Sequence, residues 1–160
     1  MLMYEILSAL DIIGLGMLLG GAFYESVVMA PNYRANVPAS LDHLRHFMKV
    51  ATPASYFRIA SPATILLLVA TVIACWGFVP TRWWFAGAFV LLIISDSITY
   101  AFHYPRNRIL FLDQLSADAD MLQRTAQEWA RGNVVRILLI ALSTIGAICG
   151  MISLVQLPML

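Results

Sequence analysis

Charge is scarce in this sequence of 160 residues: Asp, Glu, Lys and Arg together make up 12%, about half the roughly 25% of a soluble domain. With 61% hydrophobic residues and a mean hydropathy of +0.79, a water-soluble globule is excluded. Nine acidic and ten basic side chains leave a formal charge of +1, so neither a basic footprint for nucleic acid nor an acidic tail is present. Cysteine is nearly absent. Cys75 and Cys149 stand apart with no CxxC, which excludes a zinc ribbon or a thioredoxin-type pair. No Lys or Arg precedes the first apolar stretch, so the positive n-region of a cleaved signal peptide is missing and the stretch is expected to remain as a membrane helix. No internal repeat is visible. The length allows one domain, with up to about six crossings at roughly 20 residues each.

What is present is a set of long apolar runs. They predict spans at 2–30, 59–79, 83–104 and 134–157, with Pro80, Thr81 and Arg82 forming a tight turn between the second and third and Pro158 closing the fourth. The expected fold is all-α: an integral membrane four-helix bundle with amphipathic interfacial segments, forming a single membrane domain over 1–160. Arg34, Arg45, Lys49 and Arg58 fall in the first connection and Arg106, Arg108, Arg124 and Arg131 in the third, against Arg82 alone in the second. Short loops rich in Lys and Arg stay cytoplasmic, so both termini are expected on the non-cytoplasmic side, as in a bacterial inner membrane. Trp76, Trp83 and Trp84 flank the outer turn, and Tyr56, Tyr104 and Trp129 lie near the inner boundary, where amphipathic rings settle.

The two inner connections carry patterns of their own. From Ser40 to Ala51, the residues Leu41, Leu44, Phe47, Met48 and Ala51 recur at helical spacing while Asp42, Arg45, His46 and Lys49 fall elsewhere. That is an interfacial amphipathic helix, stopped by Thr52 and Pro53 and suited to act as a lid. In the third connection Ser116 is a candidate N-cap for a helix through Asp118, Leu122 and Thr125 that runs into the fourth span, with Gly132 as its weak point.

Ionisable groups at membrane depth cost at least about 2.5–3.5 kcal/mol each on insertion scales, so each needs a partner or a task. Asp11, Gly14, Leu18, Gly21 and Glu25 share one face of the first helix. Asp96, Tyr100, His103 and Asn107 form a stripe on the third, and Trp129, Asn133 and Arg136 another where the fourth begins. Antiparallel passes bring Glu25, Arg58, Ser61, His103, Asn107, Asn133 and Arg136 to one layer near the inner boundary, which has the composition of a buried polar site. GxxxG pairs at Gly16/Gly20 and Gly146/Gly150 predict close helix approach, chiefly within one bundle, with association into a homo-oligomer as the alternative. His43 and His46, with Glu25 or His103, are a candidate metal or haem site, set against the plainer reading of a solvated face.

Pro105, Asn107 and Ile109 in HYPRNRIL, and Trp129, Asn133 and Arg136 in EWARGNVVR, resemble the motifs of the anthrone oxygenase family of small four-helix membrane proteins. The layout is similar too, with Gly20 and Gly21 in the first helix, Pro31 near its end and a basic connection after it. At position 133 that family more usually carries histidine. The resemblance implies oxidation of the central methylene of a tricyclic phenolic anthrone to a ketone by molecular oxygen, with no recognised metal or flavin. No cofactor and no metal site are therefore expected, and the partners are the lipid bilayer and an apolar or aromatic small molecule.

Such chemistry needs a base, a partner for the resulting anion and a dry aromatic slot. His103 is the candidate base by its ordinary pKa, with Glu25 second. Arg136 is the candidate anion holder, and Asp96, Tyr100, Asn107, Trp129, Asn133 and Arg58 are candidate substrate-binding residues, Asp96 also orienting His103 through Tyr100 or water. Two other functions fit the same residues: a binding or transport protein with a proton or cation path through Asp11, Glu25, Asp96 and His103, and an accessory protein whose polar layer only fixes helix register.

Overall fold

The computed structural model describes residues 1–112 and 118–156. Among them it has five helices and no strand. Four are long and apolar enough to cross a membrane: α1 (Leu2–Arg34), α3 (Pro53–Ala74), α4 (Val79–Leu112) and α5 (Ala119–Val155). The short α2 (Ala39–Phe47) lies between the first two of these. They run up, down, up and down. Gly14 of α1 faces Thr64 of α3, Gly132 of α5 faces Phe102 of α4, and Tyr4 meets Phe78 edge-on at 5.3 Å beside the hairpin.

Local chemistry sets the boundaries. Thr52 and Ser55 form a capping box, with Pro53 in the first turn, so the pair expected to stop α2 instead starts α3. Proline lacks an N–H and suits the first helical turn. Pro80 accordingly opens α4, and the hairpin turn lies at Cys75–Phe78 rather than at the expected Pro80–Arg82. The α2 helix ends at Phe47, leaving Met48 and Ala51 outside it and the Phe47 ring 84% exposed. Only Leu41 of its apolar set is fully buried, while Arg45 ties the helix down by donating to the Leu110 carbonyl through Nε (3.0 Å) and Nη2 (2.5 Å). Asp118 caps α5, its carboxylate accepting from Met121 N at 2.6 Å. The expected cap Ser116 and the span end at 157–158 lie outside the described residues. Gly132 does not interrupt α5, whose 37 residues rise about 55 Å against a hydrocarbon core of roughly 30 Å.

Lipid-facing positions are apolar and the interior carries the polar groups. Ile13, Leu66, Ile73, Val90, Leu138 and Ile145 are exposed, while Ser8, Thr64, Thr71, Ser95 and Ser143 are buried. The hydroxyls of Ser8, Thr64 and Thr71 return to the carbonyl four residues back, and Ser143 donates across the interface to Ala88 O at 2.7 Å. Trp76, Trp83 and Trp84 stay exposed at the hairpin, with Arg82 against the first two rings. Trp129, expected in an interfacial belt, is buried instead.

Glycines decide how close the helices come. A Cβ on Gly14 would lie 2.7 Å from Thr64 Oγ1, and one on Gly21 would lie 2.9 Å from Tyr56 Cε1, so this face of α1 is the one packed on α3. Gly150 takes the Phe85 ring and Gly146 the α4 backbone at Trp84 and Ala88, as the GxxxG reading expected for α5. The α1 pair corrects that reading: Gly16 and Gly20 have nothing within 4 Å and face outward.

Two helices switch pitch near the loop end. The α1 helix has a π-helical turn at Glu25–Met29, and α4 has one at Thr99–His103 and another at Arg108–Leu112. In α1 the buried positions Ser8, Asp11, Leu15, Leu18, Ala22 and Glu25 keep steps of three and four, then jump five residues to Ala30. In α4 the π turn carries the buried face from Ser95 to His103. The wider turns re-aim the last turns of both helices without breaking them, a device found mostly at functional sites.

Candidate active site

Two apolar clusters divide the bundle and the polar groups lie between them. Toward the hairpin, Leu15, Leu18, Leu68, Phe85, Leu92 and Ile140 form the larger core. Toward the loop end, Ala30, Tyr33, Leu41, Leu110, Leu122 and Trp129 form a second one, joining α1, α2, α4 and α5. A cavity of about 320 Å³ lies between α1, α3, α4 and α5, lined by Glu25, Arg58, Asp96, Tyr100, His103, Asn107, Trp129 and Arg136. Phe57, Ser61 and Pro62 complete its α3 wall. Its exposed rim, with Arg58, Pro62, Ile93, Tyr100 and Tyr104, runs along the seam between α3 and α4. No α2 residue lines it, so α2 closes the loop end of the bundle rather than covering this mouth.

His103 ends the π turn of α4 and is 1% exposed. Its ring meets Trp129 edge-on at 5.1 Å, and neither ring nitrogen makes a well-formed hydrogen bond among the described residues. Trp129 is fixed in turn by donating Nε1–H to Asn107 Oδ1 at 2.7 Å, which leaves the Asn107 amide nitrogen out of that bond. This one contact unites the two sequence motifs.

Arg136 is 5% exposed, with its guanidinium carbon 5.1 Å from the centre of the Phe57 ring. Its Nη1 donates to Asn133 Oδ1 at 3.1 Å and stands 3.9 Å from Glu25 Oε2, while Nε has no partner among the described residues. The Glu25 pair is thus longer than a hydrogen bond. Asn133 does not line the cavity. Its Nδ2 donates to Ala22 O and Ser26 Oγ, both at 3.0 Å, so the carboxamide links α1 to the guanidinium.

Asp96 accepts from Ser61 Oγ at 2.5 Å, across α3 and α4. Neither His103 nitrogen bonds directly to Asp96 or to Tyr100 among the described residues. Tyr100 stands at the mouth, 64% exposed and edge-on to Tyr104 at 4.9 Å. Asp11 is far away: about 21 Å from Glu25 along α1 at 1.5 Å per residue, with Leu15, Leu18 and Ala22 buried between them. Neither of its carboxylate oxygens makes a well-formed hydrogen bond among the described residues, although Thr71 and Cys75 are near. His43 and His46 are exposed on α2, and no three His, Cys, Asp or Glu gather as a metal-binding group among the described residues.

Sequence reasoning passed over Phe57, Pro62 and Ser26. The first had a visible signal, since Phe57, Ser61, Thr64, Leu68 and Thr71 follow steps of four and three along the inward face of α3. Pro62 was legible by another rule: it lacks an N–H, so the Arg58 carbonyl one turn back loses its helical donor beside the cavity. Ser26 had no signal, because its reach to Asn133 depends on the π turn.

Fold and cavity together define an integral membrane four-helix protein built around a chamber of polar and aromatic side chains that opens between α3 and α4. Residues 47–146 match the family model for anthrone oxygenase, and the chain belongs to that family. The match runs from the end of α2 into α5 and takes in Arg58, Asp96, His103, Asn107, Trp129 and Arg136, while Glu25 lies outside it. No curated protein and no solved structure matches the chain.

Proposed function

We propose that the protein is a membrane-embedded oxygenase that converts an activated methylene of a flat phenolic, anthrone-like substrate into a ketone with O2, by a route that needs no cofactor. The observation that carries this reading is one chamber in which, among the described residues, neither His103 ring nitrogen makes a well-formed hydrogen bond and Arg136 keeps an unpartnered Nε. At about 320 Å³ the chamber is at the small end of ligand pockets, of roughly 300–1,000 Å³. Trp129, Phe57 and Tyr100 offer aromatic walls to a fused-ring ligand.

The chemistry follows from these groups. His103 takes a proton from the methylene, and the electron pair spreads over the rings to the conjugated oxygen. Arg136 donates to that oxygen, with Asn107 as a neutral second donor; fixed donors in a dry site favour a developing anion. The carbanionic carbon bonds to O2, His103 returns its proton to the outer peroxide oxygen, and the hydroperoxide loses water as the second methylene hydrogen leaves as a proton and the O–O bond breaks, which gives the carbonyl. One oxygen atom stays in the ketone, the other leaves as water, and four electrons come from the substrate. Glu25 and Asn133 hold Arg136 in place. Asp96 with Ser61, and the Arg58 carbonyl freed by Pro62, are acceptors for phenolic hydroxyls near the mouth. The setting we infer is a bacterial inner membrane with both termini non-cytoplasmic.

A proton or cation path is favoured less, because the apolar side chains between Asp11 and Glu25 separate the two carboxylates. The test is oxygen uptake by purified protein with anthrone as probe. His103→Gln keeps a polar side chain and removes the base, and should cut turnover about 10²-fold or more. Higher pH should recover part of the loss, because the phenol then ionises unaided. Full turnover in this variant would reject His103 as base. Iron, copper or haem at one equivalent per chain would reject the cofactor-free route.

A further inference from the structure

A second cavity of about 630 Å³ lies on the outer surface between α4 and α5, with Ile94, Ile98, Ala101 and Val135 among its walls. Ile94 and Val135 are 44% and 47% exposed, so the groove opens toward lipid. Its inner end is closed by Phe102 resting on Gly132. A Cβ on Gly132 would lie 2.3 Å from Phe102 Cε1 and 3.3 Å from His103 Cε1, so one ring and a bare backbone separate the groove from the imidazole. The Phe102 ring meets His103 edge-on at 5.4 Å. Its face is covered by the Arg106 guanidinium at 3.5 Å, which also donates to Phe102 O and, through Nε and Nη2, to Glu128 Oε2 at 3.0 and 2.7 Å. The ring is therefore pinned rather than loose.

We propose that this groove is a dioxygen port: O2 enters it from the bilayer and passes Phe102, its gate, to reach the chamber beside His103. The proposal rests on the oxygenase reading. Dioxygen is small and apolar, and dissolves better in hydrocarbon than in water. The other opening, between α3 and α4, is rimmed by Arg58, Tyr100 and Tyr104, and on the oxygenase reading it is the way in for the aromatic substrate. Phe102 packed on Gly132 leaves no slot for a flat tricyclic molecule, whereas a small, brief displacement of the held ring is enough for a diatomic one. The port delivers O2 to the wall that holds the base, where the carbanion forms, and keeps the two substrates from competing for one entrance.

The test reads access without catalysis. In a variant with Trp76, Trp83 and Trp84 replaced by Phe, Trp129 is the sole tryptophan and sits beside His103. Its fluorescence lifetime is measured in lipid nanodiscs under increasing O2, and separately with acrylamide as a polar quencher. Ala101→Phe and Val135→Phe fill the groove without touching the chamber, and should each lower the O2 quenching constant at least about twofold in a close-packed route, with acrylamide quenching unchanged. Phe102→Ala should raise it. Unchanged O2 quenching in both filled variants, together with an unchanged KM for O2 when anthrone occupies the chamber, would overturn the port. So would strong quenching of Trp129 by brominated acyl chains, abolished by the same two changes that leave O2 quenching intact, because the groove would then be a lipid-chain site. With anthrone, the filled variants should raise KM for O2 and leave kcat as it is. If no oxidation of anthrone is found at all, the oxygenase reading falls, while the quenching result still stands for or against the port.

Discussion

Arg136 is the residue on which the chamber depends most. It is buried between Phe57, Asn133 and Glu25, and removing one partner of a buried ion pair costs about 3–5 kcal/mol because the other charge is stranded. The 3.9 Å separation places this pair at the lower end of that range. Arg136→Met should therefore lower the thermal midpoint clearly, and Glu25→Gln, which leaves a guanidinium still bonded to Asn133, should lower it less. Both should weaken binding of anthrone, measured by Trp129 quenching. If both variants kept wild-type stability and binding, the shared chamber would be wrong. Asp11 presents the opposite case. Its unpaired carboxylate carries a cost of at least about 2.5 kcal/mol, while the cavity left by Asp11→Ala, a few tens of Å³ at about 24 cal/mol per Å³, costs under about 1 kcal/mol. Asp11→Ala should raise the midpoint and leave oxygen uptake unchanged. A drop in uptake would show that Asp11 takes part in the reaction.

At the scale of the helix, glycine separates packing from propensity. Glycine to alanine in a helix gains up to about 1 kcal/mol where the new methyl meets nothing. Gly16→Ala and Gly20→Ala should thus stabilise, whereas Gly14→Ala and Gly21→Ala must push Thr64 and Tyr56 aside and should destabilise. A thermal-melt series on the four variants checks the signs, and the reverse order would mean that α1 packs through its other face. The same helices show what was legible in the sequence. A 3.6-residue period placed Asp11, Leu18 and Glu25 on the inward face of α1, because nothing upstream of Glu25 alters the pitch. It could not show that five residues, rather than three or four, separate Glu25 from the next buried position, because π turns come from tertiary packing and have no spacing signature. The bonds of Asn133 were illegible for a related reason: its partners Ala22 and Ser26 lie more than a hundred positions away, and Ser26 sits within that turn. Proline was misread for a local reason. Pro53 and Pro80 were taken as stops, when a proline in the first turn begins a helix as readily as it ends one.

The bundle holds its polar groups inside, between two apolar clusters, presents apolar side chains outward, and gathers most of its basic residues at one end. Arg34, Arg45 and Lys49 near α2, with Arg106, Arg108, Arg124 and Arg131 around the α4–α5 connection, are gathered opposite the hairpin, where Arg82 is the lone basic group among Trp76, Trp83 and Trp84. Each Lys or Arg near a membrane end resists translocation, so the orientation proposed above puts the loop end, and the chamber beneath it, on the cytoplasmic side. Two single-cysteine variants read the orientation. With Cys75 and Cys149 replaced by alanine, Val50→Cys places a thiol at a site that is 99% exposed in the α2–α3 connection, and Gly77→Cys places one in the hairpin with nothing within 4 Å of it. A membrane-impermeant maleimide applied to intact spheroplasts should label position 77 at once, and position 50 only after the membrane is broken. Labelling of position 50 in intact spheroplasts would reverse the topology and put the chamber on the outer side. The mouth between α3 and α4 would still face lipid in that case, because Ile93, Tyr100 and Tyr104 remain on the bundle's flank whichever end is inside.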